Sequence, residues 1–334
     1  MIVFNHFKND ARVLKEAYTL IENGYDVKVF ALHDAGMEFH ENRNGLEIER
    51  IAVTTVSKLF FKKSTNHVVN KNESAPKTTI PHTNNKKNNG VLSSLKGTIK
   101  SFALAIYKPM SYFEFSKRVV KKILKEPFDI YHAHDLNTLH PAAKAAQLTK
   151  GKLIYDSHEL YIERNKPKTP SKFYKYVSTQ FEQHLIKKAD AIITVGDCIA
   201  NYLKDKYKVA LPTVIINAPS ENKINIGGKN LRDELHISAN LKLAIYCGGI
   251  TFNRGLEKLI ESLTLMPNVY LVMMGYGKPV YLAQLKSIAE KHNVVNRFSF
   301  YSPVAPNEVT AFTASADVGI APIENVCLSY YFCA

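Results

Sequence analysis

The sequence predicts an α/β protein built from two doubly wound, Rossmann-like parallel sheets. Segments of helical period and strand-like segments alternate along most of the chain. Alternation of this kind implies parallel sheets covered on both faces. At 334 residues the chain is also longer than one ordinary core supports.

The first element is a helix over Asp10 to Asn23, where Val13, Leu14, Ala17, Leu20 and Ile21 share one face, Asp10 serves as N-cap and Gly24 stops the helix. IVF at the start reads as the strand before it, and DVKVFAL, Asp26 to Leu32, as the strand after it. The β-α-β pattern then recurs. Strand DIYHAH (129–134), a helix around Pro141 to Leu148, strand KLIYDS (152–157), a helix over Ser171 to Lys187 and strand AIITV (191–195) complete the first series. After TVIIN the chain turns polar and rich in Asn and Gly, so the expected division is a first domain over 1–216, a linker over 217–232 and a second domain over 233–334. The second series holds strand LKLAIYCGG (241–249), helix 256–265, strand VYLVMMG (269–275), helix 279–292, strand RFSFY, helix 306–315 and strand DVGIAP. About four strands are present where a mean sheet has five or six, which predicts an incomplete second domain. The tail NVCLSYYFCA carries apolar residues expected to pack on something further along.

Composition narrows the function classes. With 46 % hydrophobic and 22 % charged residues the chain is ordinary globular protein. No apolar run of eighteen residues and no signal-peptide pattern occurs, so a cytoplasmic chain is expected. Four cysteines, Cys198, Cys247, Cys327 and Cys333, form no C-x-x-C pair and read as buried free thiols. The net charge of +14 is concentrated: between Lys58 and Lys125 fifteen Lys or Arg face only Glu73 and Glu114. Within that stretch, residues 64–89 are poor in large apolar side chains and read as a loop, the mobile basic loop as a whole being placed at about 62–91. Leu92 to Ile123 has the spacing of a basic amphipathic helix, which fits either an anionic membrane surface or packing on the first domain with a solvated lysine face. The segment has no recognised nucleic-acid motif and no aromatic stacking platform, so nucleic acid is not the expected partner.

In open α/β sheets ligands meet the carboxyl ends of the strands. Four such places carry chemistry: His132, His134 and Asp135 in YHAHDL; Asp156, His158 and Glu159 in YDSHEL; Gly248 and Gly249 leading to Arg254; and Gly275 with Gly277. The third has small residues that let the backbone approach a phosphate and an arginine that can bind it bidentately. The same glycine pair also suits a plain tight turn. It is neither the dinucleotide fingerprint nor a P-loop, which argues against a dinucleotide enzyme and an ATPase. His158, beside Glu159, could contact a sugar hydroxyl, and the histidines show no helix-borne metal-ligand spacing.

NDARVLKEAYTLIENGYDVKVFA, DIYHAHDLNTLHPA, KLIYDSHELY and ADAIITVGDCIANYL together resemble the first half of family 4 glycosyltransferases. GGITFNRGLEKLIESL, NVYLVMMGYGKP and FTASADVGIAPI resemble blocks of the second half, in family order from about Asp10 to Ala321. The resemblance implies a GT-B architecture of two domains facing a cleft and a retaining transferase that needs no cofactor and no divalent metal. It implies a nucleotide-sugar donor held by Gly248, Gly249, Arg254, Gly275 and Gly277, with His158 and Glu159 in catalysis. Asp10, Arg12, His134 and Asp135 would face a glycan or lipid-linked acceptor, on a protein peripheral to the inner membrane face. The family's Lys of the diphosphate-binding pair is Arg254 here, and its Arg position is Gly249. The family's E-x7-E motif does not follow the tail, so the resemblance implies a truncated chain, with an inactive nucleotide- or membrane-binding remnant as the alternative reading.

Overall fold

The computed structural model describes residues 1–8, 10–53, 110–166, 169–218, 230–306 and 308–333. The chain divides into two compact units, 1–8 with 17–153, and 9–16 with 154–334. The loop expected at 64–89, the first part of the expected basic helix and most of the expected linker lie outside the described residues.

In the first unit, β1 (Lys28–Leu32) pairs in parallel with β3 (Leu46–Ile51), and β2 (His40–Arg43) adds antiparallel to β3. Asn44 and Gly45 turn the β2–β3 hairpin at φ 52° and 87°, the two positive values a type I′ turn needs. Sequence patterning did not anticipate this hairpin. The apolar start of the chain makes only an isolated parallel bridge, Ile2 meeting Phe30 and Ala133, the latter in β4 (Ile130–His134). Helix α1 (Ala11–Glu22) has the expected cap, Asp10 Oδ1 accepting from Val13 N at 3.3 Å, and stops at Gly24 with φ 84°. A helix over 110–123, α2, buries Phe115, Val119 and Ile123 and sets Phe115 edge-on to Phe4 at 5.1 Å. The described part of the expected basic helix is thus packed on its own unit. Helix α3 (Leu136–Thr149) starts five residues earlier than expected, with Pro141 inside it. Helix α3 still continues through this proline and buries Leu139, Ala142 and Ala145 on its inner face.

The second unit takes β5 (Lys152–Ser157) from Ile154 onward, with β6 (Ala191–Thr194) and β7 (Thr213–Val214) parallel beside it. Helices α4 (Lys172–Ile186) and α5 (Asp197–Tyr207) alternate with these strands. Its other sheet is fully parallel in the order β10-β9-β8-β11, from β8 (Lys242–Cys247), β9 (Val269–Met274), β10 (Phe298–Tyr301) and β11 (Val318–Gly319). Both faces are covered, as the continuous apolar runs require. Ala244, Tyr246, Leu271 and Met273 face α7 (Leu256–Ser262) and α8 (Pro279–Lys291), while Leu243, Ile245, Val272 and Met274 face Leu231 of α6 (Leu231–Glu234) and Phe312 of α9 (Val309–Ala314). The last helix and strand are shorter than expected, α9 spanning six residues and β11 two. The tail forms a further helix, α10 (Leu328–Cys333), which buries Ser329 and Tyr330 and meets α5 and the 3-10 turn Tyr161–Glu163, with Phe332 edge-on to Tyr202 at 5.7 Å. Two cysteines depart from the buried reading. Cys198 opens α5 and Cys247 ends β8, and both are exposed free thiols.

Candidate functional site

The second unit brings its two glycine turns side by side. Gly248 N donates to Met274 O at 3.0 Å, and Ile250 bridges Gly277 with Ile250 N donating to Tyr276 O at 2.9 Å. The approach needs glycine at Gly275, where φ is 152° and a Cβ would stand 1.8 Å from Gly248 O. At Gly249 a Cβ would meet nothing within 4 Å among the described residues, so those residues leave this side of the turn open. Tyr246 Oη donates to Gly249 O at 2.8 Å and fixes the turn from below, and burial pushes this phenol above its ordinary pKa.

Arg254 follows on the same turn between two left-handed residues, Asn253 (φ 61°) and Gly255 (φ 68°). Gly255 cannot be replaced without movement, since a Cβ would lie 2.1 Å from Pro322 O. The Arg254 guanidinium lies over the Tyr330 ring at 4.7 Å, and its buried Nε has no hydrogen-bond partner among the described residues. Such stacking leaves the fork of N–H donors free to face a diphosphate. The helix after it, α7, is seven residues long.

A second cluster in the same unit surrounds His158, whose Nε2 lies 3.0 Å from Asp156 Oδ2 with Asp156 almost fully buried. Glu16 joins through a side-chain hydrogen bond to Asp156. Burial first, and then the Asp156 charge, push the Glu16 carboxyl up to about 7, against the opposing pull of His158 and Arg12. The Glu16 carboxyl is thus part-protonated near neutrality and shares its proton with Asp156 through that hydrogen bond. Glu159 accepts from Arg164 Nη1 at 3.4 Å, and the Arg164 guanidinium stacks on Tyr161 at 4.0 Å. Asp10 caps α1, and Arg12 and Glu16 follow on the next turns of that helix.

In the first unit, His132 and His134 stack at 4.2 Å and are both buried at the end of β4. Asp135 next to them takes φ 66° and ψ 166°, a region that side-chain-bearing residues rarely occupy and that costs about 1–3 kcal/mol. Backbone strain of this kind clusters at ligand-binding and active sites.

Residues 89–218 match the family model Glycosyltransferase Family 4. Solved structures agree in fold. The sucrose-phosphate synthase of Thermosynechococcus elongatus matches with a TM-score of 0.64 at 14 % identity, over 96 % of this chain and 72 % of its own. WaaG, a glycosyltransferase involved in lipopolysaccharide biosynthesis, matches at 0.60 and 15 % over 96 % and 74 %. The E. coli trehalose-6-phosphate protein bound with UDP-2-fluoro glucose matches at 0.61 and 10 % over 96 % and 77 %. No curated protein matches in sequence. The chain therefore has the α/β, GT-B-type fold. Among its described residues no helix is long and apolar enough to cross a membrane.

The glycines and Arg254 singled out in the sequence fall on one pair of adjoining turns, and His158 falls beside Asp156. Sequence reasoning passed over Glu16, Asn165 and Tyr330. Glu16 stands four residues after Arg12 on α1, a helical spacing that could have drawn notice. Asn165 and Tyr330 carry no local signal.

Proposed function

We propose that the protein transfers a sugar from a nucleotide-sugar donor to a cell-surface glycan or lipid-linked acceptor, retaining the anomeric configuration and using no divalent metal. The observation that carries this reading is the pair of adjoining glycine turns with Arg254 held over Tyr330. The backbone can approach a diphosphate there, and the guanidinium offers a charge that matches the leaving group as it departs. The family match supports the reaction class, and a similar fold that binds UDP-2-fluoro glucose supports the donor class. His158 and Glu159 are the catalytic side chains in this reading. His158 is oriented by Asp156 and faces developing charge at the transferred sugar. Asp10, Arg12, His134 and Asp135 serve the acceptor side. WaaG, a similar fold, acts in lipopolysaccharide biosynthesis, which supports a cell-surface acceptor. The basic stretch Lys58 to Lys125 would hold the protein on the inner face of the membrane.

Calorimetry with UDP and ADP tests the donor site directly. Arg254→Ala should weaken the tighter of the two by about 1.5–3 kcal/mol, the scale of a hydrogen bond to a charged group. Equal affinity in the variant removes Arg254 from the donor site, and tight binding without any transfer to sugar acceptors favours a binding protein.

A further inference from the structure

We infer that Asn165 is a positioning residue for the diphosphate-binding turn, fixing Arg254 through the backbone and the ring on either side of it. The inference rests on the donor-site reading above and names a residue that neither the family pattern nor the local sequence singles out.

Three elements meet at one side-chain amide. Asn165 Nδ2 donates to Phe252 O at 3.3 Å and to Tyr330 Oη at 3.1 Å, and Asn165 Oδ1 accepts from Asn253 Nδ2 at 2.9 Å. Both amide N–H groups and the carbonyl are thereby used. A backbone carbonyl can only accept, so the Phe252 contact sets which way the amide points. The partners bracket Arg254 closely. Phe252 and Asn253 are the two residues before it, and Tyr330 is the ring its guanidinium covers.

This geometry gives the amide leverage on the arginine. Asn253 sits at φ 61°, a left-handed conformation that an asparagine adopts at some cost and that a hydrogen bond from its own side chain helps to hold. On the far side Gly255 at φ 68° is wedged against Pro322 O. Arg254 therefore leaves the turn in a direction set by two constrained neighbours, one of which Asn165 holds. The ring beneath the guanidinium is held by the same amide, so releasing Asn165 frees both supports at once. Asn165 also lies seven residues after His158 on one run of chain. The segment after β5 thus carries the proposed catalytic histidine at one end and the support of the diphosphate turn at the other.

The test is a double-mutant cycle read by UDP and ADP affinity, with thermal midpoints recorded for each protein. Asn165→Ala should weaken the tighter nucleotide about tenfold. Asn165→Asp keeps the size and the acceptor but sets a carboxylate against Phe252 O, and should weaken it at least as much. If Asn165 acts through Arg254, the substitution should change affinity less than twofold in an Arg254→Ala background. Unchanged affinity in both single variants, or losses that simply add in the double variant, overturn the inference while leaving the donor site standing. Failure of the unaltered chain to bind either nucleotide overturns the donor-site reading and this inference with it.

Discussion

Replacing Glu16 by glutamine should alter how stability depends on pH, because the folded protein makes this carboxylate costly to ionise. Burial and the Asp156 charge raise the carboxyl from 4.5 to about 7. In the unfolded chain the same group ionises near its ordinary value. An acid raised on folding contributes stability that is fully present below the unfolded pKa and is lost as pH rises through the folded pKa. The window is therefore about 4.5 to 7. At about 1.36 kcal/mol per pH unit the full shift has an upper value near 3.4 kcal/mol. Water reaches part of Glu16, and Arg12 and His158 favour its ionised form, so about 1–2 kcal/mol is the expected size. Glutamine keeps the shape and can donate to Asp156 at every pH. Glu16→Gln should thus gain stability relative to the unaltered protein between pH 5 and pH 8, by about 1–2 kcal/mol in urea unfolding curves. A difference between the two proteins that stays constant across this range would refute the shared-proton account.

Two further outcomes follow from the site and the charge distribution. His158→Ala should lower transfer by at least about tenfold while moving the thermal midpoint little, since His158 is partly exposed and not a core residue. A lost midpoint with normal turnover of the folded fraction would instead make it structural. The protein should sediment with anionic vesicles at low salt and release as ionic strength rises, because each lysine near an anionic leaflet contributes about 1 kcal/mol and is screened beyond a Debye length. Equal binding to neutral and anionic vesicles, or none to either, would leave the basic stretch as a solvated surface.

The parallel sheets were legible because strand-like and helical segments alternate along the chain, which calls for parallel strands with helices on both faces, and KLAIYC and VYLVMM are two strands of one such sheet. The β2–β3 hairpin was not. His40–Arg43 reads HENR and is largely solvated, so its strand shows no apolar alternation, and only Asn44-Gly45 announces the turn. Pro141 concealed the start of α3, because a proline suggests a first turn more readily than an interior position. The turn that carries Arg254 was legible because glycines and an arginine directly follow a strand. The remainder of the candidate site was not, since its partners meet across long separations. Asn165 reaches Tyr330 across 165 residues, and Glu16 on α1 meets Asp156 on the distant strand β5. Local propensity carries no information on such pairings, which only the packed sheets create.

The same turn explains what a missing cation means. The resemblance to family 4 enzymes implies two cations on the donor diphosphate, and here Gly249 stands at the position of one of them. The structure gives two reasons why a side chain would fit there. Gly249 is not among the glycines with positive φ, so an L-residue needs no strained backbone. A Cβ at Gly249 also meets nothing within 4 Å among the described residues, so growth from that atom is not blocked by any of them. Gly249→Arg should therefore fold, aided slightly by the smaller freedom of its unfolded chain. A charged hydrogen bond to the diphosphate contributes about 1.5–3 kcal/mol, and immobilising a long side chain costs about 0.5–1.5 kcal/mol. The net expectation is about 1–1.5 kcal/mol, a gain in UDP or ADP affinity approaching tenfold that fades with added salt. Affinity equal to or weaker than that of the unaltered chain, in a variant with an unchanged thermal midpoint, would mean that the open side of Gly249 does not face the diphosphate. The second cation would then have to enter from another element.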